Sequence, residues 1–193
     1  FGNEVWNSGS ANSFVYFNYD FGQGELLGGK IDNSFQYNSN MYGSAIDKDL
    51  NTIFVEDVIE TSIYNDDFIQ HEIIKLPNGN YLSLAPDFRE LPVSQKESGD
   101  WSWESQFSES ELSSFTWMGD KLVEWDPINK EVVWTISTFD IYDIEDFDIL
   151  GGIWQTAGQA LDVFDWTHLN AIDYNESQNA IYISSRHLSK ITK

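Results

Sequence analysis

The chain of 193 residues contains no cysteine, so disulfides and thiolate metal ligands are excluded outright. Positive charge is scarce: 10 Lys+Arg stand against 32 Asp+Glu, a formal net charge of −22. Such a surface repels nucleic-acid phosphates and anionic lipid, which excludes a nucleic-acid partner, and any anion site needs its own local cations. No apolar run approaches the ~20 residues of a membrane-spanning helix. There is no Gly-rich phosphate loop, no Ser-His-Asp set and no zinc-ligand spacing, so neither a metal nor a cofactor is expected. The acidic run Asp140, Asp143, Glu145, Asp146, Asp148 lacks the Gly-centred spacing of a calcium loop and reads as a solvated face. The chain starts at Phe1, with no initiator Met or signal segment, and stops at Lys193 after a strand-like run. Both ends read as cut.

Aromatic residues, by contrast, are plentiful, with 8 Trp, 9 Tyr and 13 Phe, and they favour pleated surfaces. The ordered-looking segments are short alternating runs bounded by turn residues. They pair as hairpins: 14–19 with 25–31, 43–47 with 52–58, and 71–85 around the turn PNGN. Two more are 121–136 around DPINK and 168–187 around NESQN. Asn-Gly between apolar runs is a strong hairpin signal because both residues readily take positive φ. The stretches 86–119 and 137–166 read as long loops, the second with a helical turn marked by Ile141, Ile144, Phe147 and Leu150. Trp101, Trp103 and Trp117 fall in the first of these and read as a loop packed over a sheet end.

HEIIKLPNGNYLSLA and HLNAIDYNESQNAIYISS share one plan, with their leading histidines, His71 and His168, 97 positions apart. Each has a histidine, an apolar run, a polar turn with Asn, then an aromatic-aliphatic run ending in small residues. Two hairpins per repeat make a four-stranded unit, which is how a propeller blade reads. The expected fold is therefore all-β: a β-propeller of four-stranded blades, with only about two to three of the four to eight that close a ring. The expected parts are a loosely matched blade over 1–60, a blade over 68–137 with its long loop 86–119, and the start of another over 166–193.

The chain has three histidines, His71, His168 and His187, and two arginines, Arg89 and Arg186. Equivalent positions of propeller blades approach one mouth, which groups His71 with His168. Strand alternation puts His168 and Asn170 on one face, together with Ile172 and Tyr174. The same alternation turns Arg186 and His187 in opposite directions, so only one of them is expected to reach the site. Arg186 is favoured because its planar fork matches an oxyanion with two hydrogen bonds. His187 reads as structural.

DWTHLNAIDYNESQNAIYISSRH (165–187) resembles the signature stretch of the arylsulfotransferases that use no nucleotide sulfate donor. HEIIKLPNGNYLSL (71–84) and GDKLVEWDPINKEVVW (119–134) are similar to the preceding blade of that family. The resemblance covers about 120 residues well and the first 60 loosely. It implies a six-bladed propeller, periplasmic or extracellular, that moves a sulfuryl group from a phenolic sulfate ester to a phenol without a cofactor. It also implies that His168, Asn170 and Arg186 hold the sulfuryl group and that His71 is a further active-site histidine. The family's covalently modified histidine is expected beyond Lys193, and the rest of the propeller, on this chain or another, would complete the fold. The other readings are a secreted, non-catalytic propeller acting as a binding or assembly module, and a sulfatase-like hydrolase.

Overall fold

A computed structural model describes residues 14–20, 24–30, 42–47, 49, 51–55, 71–92, 113–146 and 163–193. These residues are almost entirely strand and turn. By compactness the chain divides into two units, 1–85 with 123–134, and 86–122 with 135–193.

The first unit opens with a four-stranded antiparallel sheet in sequential order: β1 (Phe14–Asp20), β2 (Glu25–Lys30), β3 (Tyr42–Ile46) and β4 (Thr52–Val55). Leu27 and its register partner Ala45 are buried on one face of this sheet, and Ile46 is buried on the other. Next come β5 (Ile73–Lys75) and β6 (Tyr81–Leu91), which pair antiparallel at Ile73↔Ser83 and Lys75↔Tyr81. Their turn closes through Gly79, whose φ of 92° lies in the left-handed region, and Asn78 Oδ1 accepts the Asn80 N–H at 3.0 Å. Buried Glu25 ties the two hairpins together: Lys75 Nζ donates to it at 2.8 Å and the Tyr81 hydroxyl at 3.1 Å. Glu124, also buried, takes the amides of Asn78 and Asn80 at 3.0 and 2.6 Å. Each buried carboxylate thus has two donors to replace the water it lost, which is how so acidic a chain packs acids inside.

The second sheet runs in the order β5-β6-β7-β8, adding β7 (Phe115–Asp126) and β8 (Glu131–Ser137). Asp126 builds the turn between those two by accepting the N–H groups of Ile128 and Asn129 at 2.7 and 3.1 Å. β6 and β7 reach well into the stretch expected to be a loop. Pro86 lies inside β6, beyond the residues Tyr81 to Ser83 that pair with β5. Trp117 therefore sits in β7 rather than in a loop, while Trp101 and Trp103 lie outside the described residues.

In the second unit the chain makes one helical turn, α1 (Thr138–Ile141), capped by the Ser137 hydroxyl on the Phe139 N–H. The helical turn expected further along stops there. Ile144 is in a turn, and Phe147 and Leu150 lie outside the described residues. A two-residue strand, β9 (Phe164–Asp165), then pairs parallel to β7 at Trp117↔Phe164 and Met118↔Asp165. The antiparallel strands β10 (Leu169–Asn175), β11 (Ala180–Ser185) and β12 (Lys190–Thr192) close the described chain. A 3₁₀ turn with Asn179 at a φ of 45° joins β10 to β11, capped by Asn175. Trp117, Phe164, Trp166 and Leu188 form an aromatic core in this unit, with Trp117 edge-on to both Phe164 and Trp166.

Candidate anion site around His168

β9 is short because it serves as an anchor. Its pairing with β7 and the bond from the Trp166 N–H to the Met118 carbonyl (2.9 Å) pin the chain just before His168. Phe164 and Trp166 turn into the aromatic core, and the intervening residue, Asp165, is 2% exposed. The Trp166 indole N–H is satisfied by the Asp146 carbonyl at 2.8 Å.

His168 has a φ of 46°, the left-handed region that a non-glycine residue enters at a cost on the order of 1 kcal/mol. The surroundings over-determine that conformation. On one side, the Thr167 hydroxyl donates to Asp120 Oδ2 at 2.5 Å, and on the other the Leu169 N–H donates to the same oxygen at 2.8 Å. The Thr167 carbonyl accepts the Ser185 hydroxyl (2.6 Å) and the His187 N–H (3.3 Å), and the His168 carbonyl accepts the Arg186 N–H (3.1 Å). Asp120 is itself placed by its own N–H on the Thr138 hydroxyl, 2.9 Å. Burial pushes the Asp120 carboxyl up to about 7, against the pull of Thr167 and Leu169, with nearby Asp165 adding to the rise.

The side chains converge on Asp165. Its Oδ2 lies 2.5 Å from His168 Nδ1, and its main-chain oxygen takes His187 Nδ1 at 2.7 Å. The two imidazoles stack with centroids 4.5 Å apart and planes 29° apart. A carbonyl oxygen only accepts, so His187 carries its proton on Nδ1, leaving a lone pair on Nε2, which is buried and has no hydrogen-bond partner among the described residues. For His168, burial pulls the pKa down, but the Asp165 hydrogen bond and the charges of Asp165 and Asp120 outweigh it, leaving it above its ordinary value. For His187 burial dominates and its pKa stays below the ordinary value. One side-chain ligand atom from each of Asp165, His168 and His187 lies within 4.8 Å of the others, a set that could hold a metal ion. In this geometry both Nδ1 atoms bind Asp165.

Of the residues singled out from sequence, His168, Asn170 and Arg186 lie in this unit and His71 in the first. Asn170 is exposed and falls at a β-bulge, where the β10–β11 register shifts between Leu169 and Ala171. The bulge breaks the expected alternation: Ile172, assigned to the face of Asn170, is buried with Leu169 instead. β11 ends at Ser185, so Arg186 sits in a turn with its side chain exposed, near enough to bear on the titration of both imidazoles. His187 is the residue that packs against His168. His71 has a φ of 59°, also left-handed, just ahead of β5. Its neighbour Glu72 is pushed up to about 7 by burial, despite accepting the Asn18 amide at 3.0 Å.

Sequence reasoning did not anticipate Asp165 and Asp120 beside His168, nor the stacking of His187 on its ring. The one available signal was Asp165 standing three residues ahead of His168, within reach of its ring. The acidic run at 140–146 is exposed at Asp140, Asp143 and Glu145, while half-buried Asp146 pairs with Lys190; Asp148 lies outside the described residues. No described helix is long and apolar enough to cross a membrane, which leaves strand-borne membrane spans unaddressed.

No curated protein and no solved structure matches the chain. The family model for arylsulfotransferase (ASST) matches residues 20–193, nearly the whole chain and every residue of the site around His168. This chain belongs to the arylsulfotransferase family.

Proposed function

We propose that the chain supplies the anion-handling part of a site for sulfuryl transfer from a phenolic sulfate ester to a phenol. His168 and Arg186 bind the transferring group and Asn170 assists. The observation that carries this reading is the placement of His168: a strained, half-buried imidazole held by Asp165 at 2.5 Å, with Arg186 in the adjoining turn. A sulfuryl group in transfer bears negative charge on its oxygens, so catalysis consists largely of positioning and of positive groups fixed in advance. Arg186 contributes permanent charge and a planar fork. His168, with its pKa above the ordinary value, contributes an N–H donor that also suits protonation of the departing phenolate. Asn170, turned outward by the bulge, offers an amide to the same group. Family membership supports the reaction class, and with it phenolic substrates.

In this reading each sheet is one blade of a propeller: β1–β4, then β5–β8, then a third begun by β10–β12. His71, which like His168 takes a left-handed φ just ahead of a strand, is the further active-site histidine of this reading. The nucleophilic histidine comes from a further blade, and the protein works in the periplasm or outside the cell. The test is transfer from a chromogenic aryl sulfate to phenol by the parent protein. His168→Ala lowers kcat by about 100-fold or more if the imidazole is a proton donor in the transfer. Equal turnover by that variant would sink the assignment. Equal turnover with phenol omitted would favour hydrolysis instead.

A further inference from the structure

We propose that Asp165 is a positioning residue that assigns the charge of two imidazoles at once, fixing His168 as the cation and His187 as its neutral partner. The inference rests on the reading of His168 as an anion donor for its functional meaning, although not for its test.

The argument begins with the two acceptors that one residue presents. The Asp165 carboxylate meets His168 Nδ1 at 2.5 Å, while His187 Nδ1 is 3.9 Å from the same oxygen and bonds instead to the main-chain carbonyl at 2.7 Å. A carboxylate at hydrogen-bond distance stabilises imidazolium, whereas a carbonyl only fixes a tautomer. The rings stack at 4.5 Å, and two positive rings in that arrangement repel, so only one carries charge. With the carboxylate on His168, the charge goes there. The side chains of Asp165 and His187 are 3% and 1% exposed, so water screens little of this.

The other charged groups act in the same direction or too weakly to reverse it. Asp120 on β7, whose carboxyl is raised to about 7, adds negative potential at His168 only once it ionises, and Arg186, in the turn after β11, opposes protonation of both rings. The consequence is that the site keeps a cationic imidazole, paired with one carboxylate, in a protein of net charge −22. Without Asp165, His168 would be a buried imidazole that burial and Arg186 keep neutral, able to accept a proton from a phenol and unable to hold an anion.

The experiment is a pH titration of the parent protein by NMR with ring-labelled histidine. The wild type is expected to show His168 titrating above the ordinary histidine value of ~6.5 and His187 below it. Nitrogen shifts should report protonated Nδ1 on His187 throughout. Asp165→Asn keeps the main-chain carbonyl, so it is expected to lower the His168 midpoint by about one pH unit or more and leave the His187 tautomer unchanged. A His168 midpoint at or below ~6.5 in the wild type, or no movement in a folded Asp165→Asn, overturns the proposal. If Asp165→Asn fails to fold, the wild-type midpoints and tautomer decide the matter. Sulfuryl transfer by the parent protein is measured separately. Correct titrations with activity indifferent to His168→Ala would remove the functional reading and leave the charge assignment standing. The reverse pair of results would do the opposite.

Discussion

His168 lies stacked on His187, centroids 4.5 Å apart, and the two rings are held by different atoms of the same aspartate. The pair responds to acid in opposite senses. Because the pKa of His187 is lowered by folding, its neutral form contributes stability at pH above the unfolded value of ~6.5, and that contribution is lost as pH falls through the folded value. His187→Phe preserves a flat buried ring but removes the titration and leaves the Asp165 carbonyl without its donor, at a cost of about 1–3 kcal/mol. The urea midpoints of wild type and variant should therefore lie furthest apart near pH 7.5 and draw together towards pH 5. A constant gap would show that His187 is not held neutral.

Asp120 has the opposite dependence. Its carboxyl is raised from 3.8 to about 7, so folding favours the protonated form. The contribution is fully present below pH 3.8 and is lost as pH rises through about 7, with a slope on the order of 1.4 kcal/mol per pH unit. Asp120→Asn retains an oxygen for the Thr167 hydroxyl and Leu169 N–H and cannot ionise. Relative to wild type, the variant is expected to gain stability steadily from pH 4 to about pH 7 in thermal melts and to level off above that. Parallel melting curves across that range would contradict the buried, protonated carboxyl.

Gly119 sits in β7 where a Cβ would come within 2.7 Å of both Phe139 Cε2 and the Thr138 hydroxyl. That hydroxyl accepts the Asp120 N–H, so crowding at 119 propagates to the residue that seats His168. Gly119→Ala should destabilise by about 1–3 kcal/mol, seen as a drop in Tm of about 2–4 °C per kcal/mol. An unchanged Tm would mean that α1 moves aside freely.

Trp117 is 1% exposed at the centre of the aromatic core, yet its indole N–H has no hydrogen-bond partner among the described residues. Trp117→Ala should cost about 3–5 kcal/mol by leaving a cavity, while Trp117→Phe fills most of the space and removes the unsatisfied donor. Equilibrium unfolding should place the Phe variant much nearer the wild type. Equal losses would indicate that the indole nitrogen is satisfied after all.

Much of the strand layout was legible because turns announce themselves: PNGN and NESQN supply the left-handed Gly79 and Asn179 where the chain reverses. The site was legible only as scattered residues. His168, Asn170 and Arg186 stood out because cations are scarce and because the stretch resembles a known family. Asp165 and Asp120 did not, since nothing local separates two buried acids from the rest of 32 acidic residues. Strand alternation misled twice. It ran through Asn170, where a bulge resets the count, and past Ser185, where β11 gives way to a turn. β9 is two residues long and pairs with a strand far back in the chain, so no window of local periodicity contains it.

The bonds from Thr167 and Leu169 to Asp120 span 47 and 49 positions. Closing a loop of that length is slow and entropically expensive compared with zipping a hairpin across the four residues 176–179. The hairpin of β10 and β11 can form by itself within microseconds. During folding His168, just ahead of that hairpin, therefore stays unseated until β9 finds β7.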